Sequence, residues 1–133
     1  MKKITELYEE ARDEIDKLND YSNDLSEYIA KNIKLKGVMS QPDLEYGTGA
    51  LSFNINDDIM IYATPFWEGY NGIMVDIDNL NTGDEEPIEI KMKPTYDMKK
   101  DAKTWQKHMD KLISKIKKYI DTEGDSTEMA AIR

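Results

Sequence analysis

Apolar positions in the last third of the chain recur at helical spacing. Met98, Ala102, Trp105, Met109, Leu112, Ile116 and Tyr119 are alternately four and three residues apart. That spacing sets them on one stripe of a helix running from Asp97 to Ile120. Lys99, Lys100, Lys103, Lys107, Lys111, Lys115, Lys117 and Lys118 fall on its other faces. Asp97 is suited to cap this helix, and Asp101 complements the dipole of its first turn. Residues 3–31 carry a second amphipathic pattern. Ile4, Ala11, Leu18 and Leu25 form one heptad row, and Tyr8, Ile15 and Ile29 form the next, which predicts a helix roughly 40 Å long. Asn19, Asp20, Ser22, Asn23 and Asp24 are weak helix formers and predict a kink or break there.

Between the helices the period changes to two. Val38 and Met39 read as a short strand, and residues 40–49 as a loop. Leu51, Phe53 and Ile55 alternate with Ser52 and Asn54. A turn at Asn56-Asp57-Asp58 joins them to a strand at Ile59–Ala63 in a hairpin. Thr64–Gly72 reads as an aromatic-rich loop, Ile73–Ile77 as a strand, Asp78–Pro87 as an acidic loop and Ile88–Met92 as a strand. The order is helix, about four strands with room for a fifth, helix. It predicts one α+β domain over residues 1–122, an antiparallel sheet flanked by a long N-terminal and a long basic C-terminal helix, with a flexible tail at 123–133. Each strand has one apolar face, so the two helices are its natural cover. The helix seams would also serve a homodimer, with Met98–Tyr119 as the interface of an oligomeric structural or chaperone-like protein.

Composition narrows the chemistry. Leu, Ile, Val and Phe together make up 27 of 133 residues, so the core is thin and leans on eight Met and eight Tyr. There is no cysteine, which excludes disulfide and thiol chemistry. No apolar run approaches a membrane span or a signal-peptide core, and a cytoplasmic protein is expected. The formal net charge is −9, unevenly spread. Residues 41–90 hold eleven acids and no base, whereas residues 91–120 hold ten bases and three acids. The acidic block disfavours direct contact with a nucleic-acid backbone. The lysine-rich helix lacks the arginines that usually read bases.

Catalytic groups are sparse. The only histidine, His108, lies beside the helix seam and reads as a boundary residue, so nucleophilic catalysis has little to work with and no enzyme is expected. Asp57, Asp58, Asp76 and Asp78 are hard-cation ligand types, but Asp76–Asn81 departs from a calcium loop at Leu80 and lacks its Gly and Glu. No metal or cofactor is expected. Acids are so numerous that a glycosidase-like pair carries no signal. The loop Thr64–Gly72 stands out, with Phe66, Trp67 and Tyr70 around Glu68 and two glycines. Such aromatics seal a core, anchor a protein interface or form a small-ligand pocket.

No motif ties the chain to a family. In size and charge alone it is like small acidic inhibitors carried by mobile elements and like secretion chaperones. The function expected is a non-enzymatic acidic binding protein that blocks or sequesters a basic, nucleic-acid-handling partner, as an inhibitor or nucleic-acid mimic. Its contacts would be Asp57, Asp58, Glu68, Asp76, Asp78, Asp84, Glu85 and Glu86, with Trp67 and Tyr70 as anchors. The alternative is a small-ligand module built on the aromatic loop.

Overall fold

Alternation along the central segment builds a sheet with one apolar side. The computed structural model describes residues 3–45 and 49–123, with side chains up to residue 120. Five strands pair antiparallel in chain order: β1 (Asp43–Leu44), β2 (Leu51–Asn54), β3 (Ile59–Pro65), β4 (Gly72–Asn79) and β5 (Glu85–Lys91). Phe53 stands opposite Ile61, Ile61 opposite Ile77, and Ile73 opposite Ile90. This register gathers the apolar residues on one face, where Leu51, Phe53, Ile59, Ile61, Ala63, Ile73, Val75 and Ile77 are buried. Helices α1 (Ile4–Asn32) and α2 (Met98–Glu123) cover that face. The fold is therefore α+β, a five-stranded antiparallel meander flanked by the two terminal helices.

The seam of α2 is consumed inside the molecule. Ala102, Trp105, Met109, Leu112, Ile113 and Ile116 are buried. The Trp105 indole donates to the Ala63 carbonyl at 3.1 Å and meets the Phe53 ring edge-on. The middle of the seam thus packs inside the molecule, with Met98 and Tyr119 half-buried at its ends. Asp97 caps the helix as its sequence position suggests, accepting from the Lys100 backbone N–H at 3.1 Å. Asp101 does more than complement a dipole. It is buried, and it accepts from the Tyr21 hydroxyl at 2.6 Å, the Thr95 N–H at 3.0 Å and the Thr95 hydroxyl at 2.7 Å. Burial and that hydrogen bond push the Tyr21 phenol well above its ordinary value.

Three sequence expectations are corrected. Helix α1 runs unbroken through residues 19–24. The weak helix formers there are held by tertiary contacts: the Ser22 hydroxyl donates to the Pro65 carbonyl at 2.6 Å, and Tyr21 reaches Asp101. The first strand lies at Asp43–Leu44, not Val38–Met39. Met39 and Ser40 spend their N–H groups on the single Asn54 carbonyl, a contact too irregular to start a ladder. Both supposed loops are partly strand: β3 takes in Thr64 and Pro65, and β5 takes in Glu85, Glu86 and Pro87. Proline is tolerated in β5 because it is an edge strand. The tail expected from residue 123 lies, from residue 124 onward, outside the described residues.

The helix–sheet overlap is incomplete. From Leu18 onward the inward residues of α1 are buried, but residues 4–17 are all exposed. A helix of 29 residues is about 43 Å long, whereas strands of seven or eight residues span about 25 Å. The N-terminal half of α1 therefore overhangs the end of the sheet.

Candidate functional site

The other set of alternating side chains points away from both helices. Three cross-strand rows are set by the register. One runs Asp43, Ser52, Tyr62, Asp76, Pro87, the next Asn54, Met60, Asp78, Glu85, and the third Thr64, Met74, Glu89. With Glu45, this face carries six carboxylates among the described residues, and the one base there, Lys91, sits at the end of β5. The exposed lysines of α2 lie on the opposite side of the molecule, so they do not sit over these acids.

Tyr62 stands at the centre of the rows. Its phenol is raised by burial and then by the charges of Glu45, Asp78, Asp76 and Glu85, which places four carboxylates around one hydroxyl. Glu45 also accepts from the Ser52 hydroxyl at 3.0 Å. Asp76, Asp78 and Glu85 approach most closely, each offering an oxygen within 4.8 Å of the others. Three such oxygens could hold a hard cation, and they equally suit an ammonium or guanidinium group. The Asp78 carboxyl is pushed up to about 6, first by burial, then by its hydrogen bond to Asp76 and by the charges of Asp76 and Glu85.

That shift has a defined sign. The folded protein takes up this proton before the unfolded chain does, so the Asp78 contribution favours folding below about pH 4 and is lost as pH rises through about 6. Asp78→Asn is expected to raise stability at pH 7.5 by about 1 kcal/mol, discounted for solvent access, and to change it little at pH 4. Urea unfolding at both pH values checks this; an equal gain at both would contradict it.

The aromatic segment divides its work. Phe66 is fully buried and stacks on Tyr21 with ring centroids 6.0 Å apart. Its backbone, like that of Glu68, is left-handed, which bends the chain through a single 3-10 turn at Trp67–Gly69. The bend turns Trp67 to the surface, 38% exposed. There it lines an apolar pocket of about 240 Å³ with Ala50, Thr64, Met74, Val75, Asp76 and Pro87. Tyr70 stands at the same end, its phenol raised by partial loss of solvent and by Glu89, to which it hydrogen-bonds. Gly72 allows this approach, since a Cβ there would lie 2.4 Å from the Ile90 carbonyl oxygen and 2.5 Å from the Tyr70 ring.

The expected contact residues are thus partly assembled. Asp76, Asp78, Glu85, Trp67 and Tyr70 share the open face. Glu68 is exposed on the turn at the Trp67 end. Asp57, Asp58 and Asp84 lie at the far end, where the Leu80 N–H donates to the Asp58 carbonyl and joins the β2–β3 turn to the β4–β5 turn. Glu86, opposite Ile77, turns to the helix side and stands apart from the others. Asp43, Glu45, Tyr62 and Glu89 belong to the face and were not singled out from sequence. His108 is half-buried on α2, far along the chain from these groups. Among the described residues no helix is long and apolar enough to cross a membrane. No protein-family model matches the chain, and no curated protein or solved structure matches it.

Proposed function

We propose that this protein is a non-enzymatic binding protein whose open sheet face docks on a basic partner that handles nucleic acid and blocks or sequesters it. One observation carries the reading: a sheet face left bare by both helices, carrying six carboxylates beside an exposed Trp67 and an apolar pocket. Carboxylates two apart on a strand repeat at about 7 Å, and those on neighbouring strands at about 5 Å. A groove lined by Lys and Arg can satisfy such a grid with charge-assisted bonds, and the opposite charge of the acidic face speeds encounter with it. Trp67 and the pocket supply the desolvated anchor that charge alone lacks.

The test compares what the immobilised protein and its Asp76→Lys/Glu85→Lys variant retain from lysate of the natural host, at low and at raised salt. The native protein is expected to hold a nucleic-acid-handling protein at low salt, to release it at high salt, and to retain it at least 100-fold better than the variant does. An identical retained set for both forms would remove the open face from the reading. The 240 Å³ pocket favours one second reading, a small apolar ligand under Trp67. On that reading Trp67→Ala abolishes ligand binding and leaves the acidic-face partner unaffected.

A further inference from the structure

The overhanging half of α1 carries an apolar stripe that is largely uncovered among the described residues and meets the body at Ile15, beside Gly69. Projected down the helix axis, Ile4, Leu7, Tyr8, Ala11, Glu14 and Ile15 fall on one stripe with Ala11 at its centre, whereas Glu6, Glu9, Asp13 and Asp16 fall on the other side. The stripe continues directly into Leu18, Ser22, Leu25 and Ile29, which are buried in the body. Its outer part is bare, with Ile4 85%, Tyr8 69%, Leu7 51% and Ile15 48% exposed. Beneath it runs a groove of about 490 Å³ walled by Ala11, Glu14, Ile15, Gly69, Pro94 and Tyr96.

We propose that this stripe and groove are a self-association surface, in which two copies pair their overhanging helices antiparallel about a two-fold axis at Ala11. The pattern is its own complement under that operation. Ala11 meets Ala11, so the helices approach closely where the side chain is smallest. Leu7 falls opposite Ile15 of the second copy, and Ile4 opposite the groove wall at Leu18. Tyr8 falls opposite Glu14, the stripe's single charge, and its hydroxyl can donate to that carboxylate. An isologous contact needs this kind of symmetry within one patch, and a partner of another sequence would not.

The area is sufficient. A large apolar side chain exposes on the order of 200 Å² in full, so the four bare residues offer roughly 500 Å² per copy. Two copies reach the ~1,000 Å² that a specific interface requires. An apolar patch of this size is also at the upper end of what a monomer leaves in water.

Charge gives the contact a signature. Residues 4–17 hold six acids and two bases, so two copies repel and their association should tighten as salt rises. Docking of a basic partner on the open sheet face has the opposite dependence, and the two readings can fail separately. Sedimentation equilibrium of the full chain, at micromolar to millimolar concentration and at low and raised salt, is the experiment. A dimer that strengthens with salt is expected. Leu7→Glu, which places a carboxylate at two symmetric points of the seam, should weaken it by on the order of 1,000-fold. Helix content should stay unchanged, because Leu7 lies in the exposed half of α1 and is itself 51% exposed. A strict monomer at millimolar concentration would overturn the proposal. So would a dimer that survives both Leu7→Glu and Ala11→Lys, since it must then form elsewhere.

Discussion

Trp105→Ala is expected to cost about 4 kcal/mol and to bring the protein close to its unfolding limit. Trp105 is fully buried, and it is the largest side chain between α2 and the sheet. Its removal creates a cavity under Phe53 and Ala63 that a five-stranded sheet cannot collapse to fill. It also strips the Ala63 carbonyl of the indole donor at 3.1 Å. A domain of this size has a total stability of roughly 5–15 kcal/mol, and the small share of large aliphatic residues puts this chain at the low end. Trp105→Phe keeps most of the burial and loses the hydrogen bond, so its cost should be about half. Urea unfolding followed by far-ultraviolet circular dichroism gives both values. A loss under 1 kcal/mol for the alanine variant would mean that α2 is not seated on the sheet by this residue.

The second large effect is at Asp101. Its carboxylate accepts three donors, from Tyr21 on α1 and from both donors of Thr95 in the segment before α2. Asp101→Ala leaves the buried Tyr21 hydroxyl unanswered and releases the exposed Thr95 from the start of α2, at an expected cost of about 3 kcal/mol. Tyr21→Phe removes one donor and should cost about 1 kcal/mol. Once Asp101 is gone, removing the Tyr21 hydroxyl should cost nothing or restore stability. A double-mutant cycle should then show coupling of at least about 1 kcal/mol. Additive losses would mean that the two residues stabilise the fold independently and that this link between the helices is incidental.

The helices were legible because 3.6-residue spacing survives in any context, and the Met98–Tyr119 stripe is the one that α2 buries. The strands were legible by alternation, though their ends were not. Glu85, Glu86 and Pro87 look like a loop by composition, yet an edge strand accepts both charge and proline. The unbroken path of α1 was hidden, since the bonds that hold Tyr21 and Ser22 come from residues 80 and 43 positions away. The overhang was within reach: a 40 Å helix cannot be covered by strands of about 25 Å. For the site, alternation told which residues share a face but not which face lies bare. Tyr62 was the missed pointer. It sits on the polar side of the Ile59–Ala63 strand, and its neighbours across the ladder, Ser52 and Asp76, come from the two flanking strands.

Chain order has a consequence for biosynthesis. The sheet is a pure meander, each strand pairing with the one just made, so its hydrogen-bonded ladder can close while the polypeptide is still leaving the ribosome. Half of its lid, α1, is made before the sheet, and the other half, α2, comes last. Ala63 waits for Trp105 and Tyr21 waits for Asp101, so at ordinary elongation speeds the part of the Ile-rich side that α2 covers stands open for some seconds. Over that interval the nascent sheet is at its most exposed to chaperones and to aggregation. Ten of the eleven acids of residues 41–90, all but Glu86, are crowded on its other side and its turns and are then the chain's own protection against a neighbour on the same polysome.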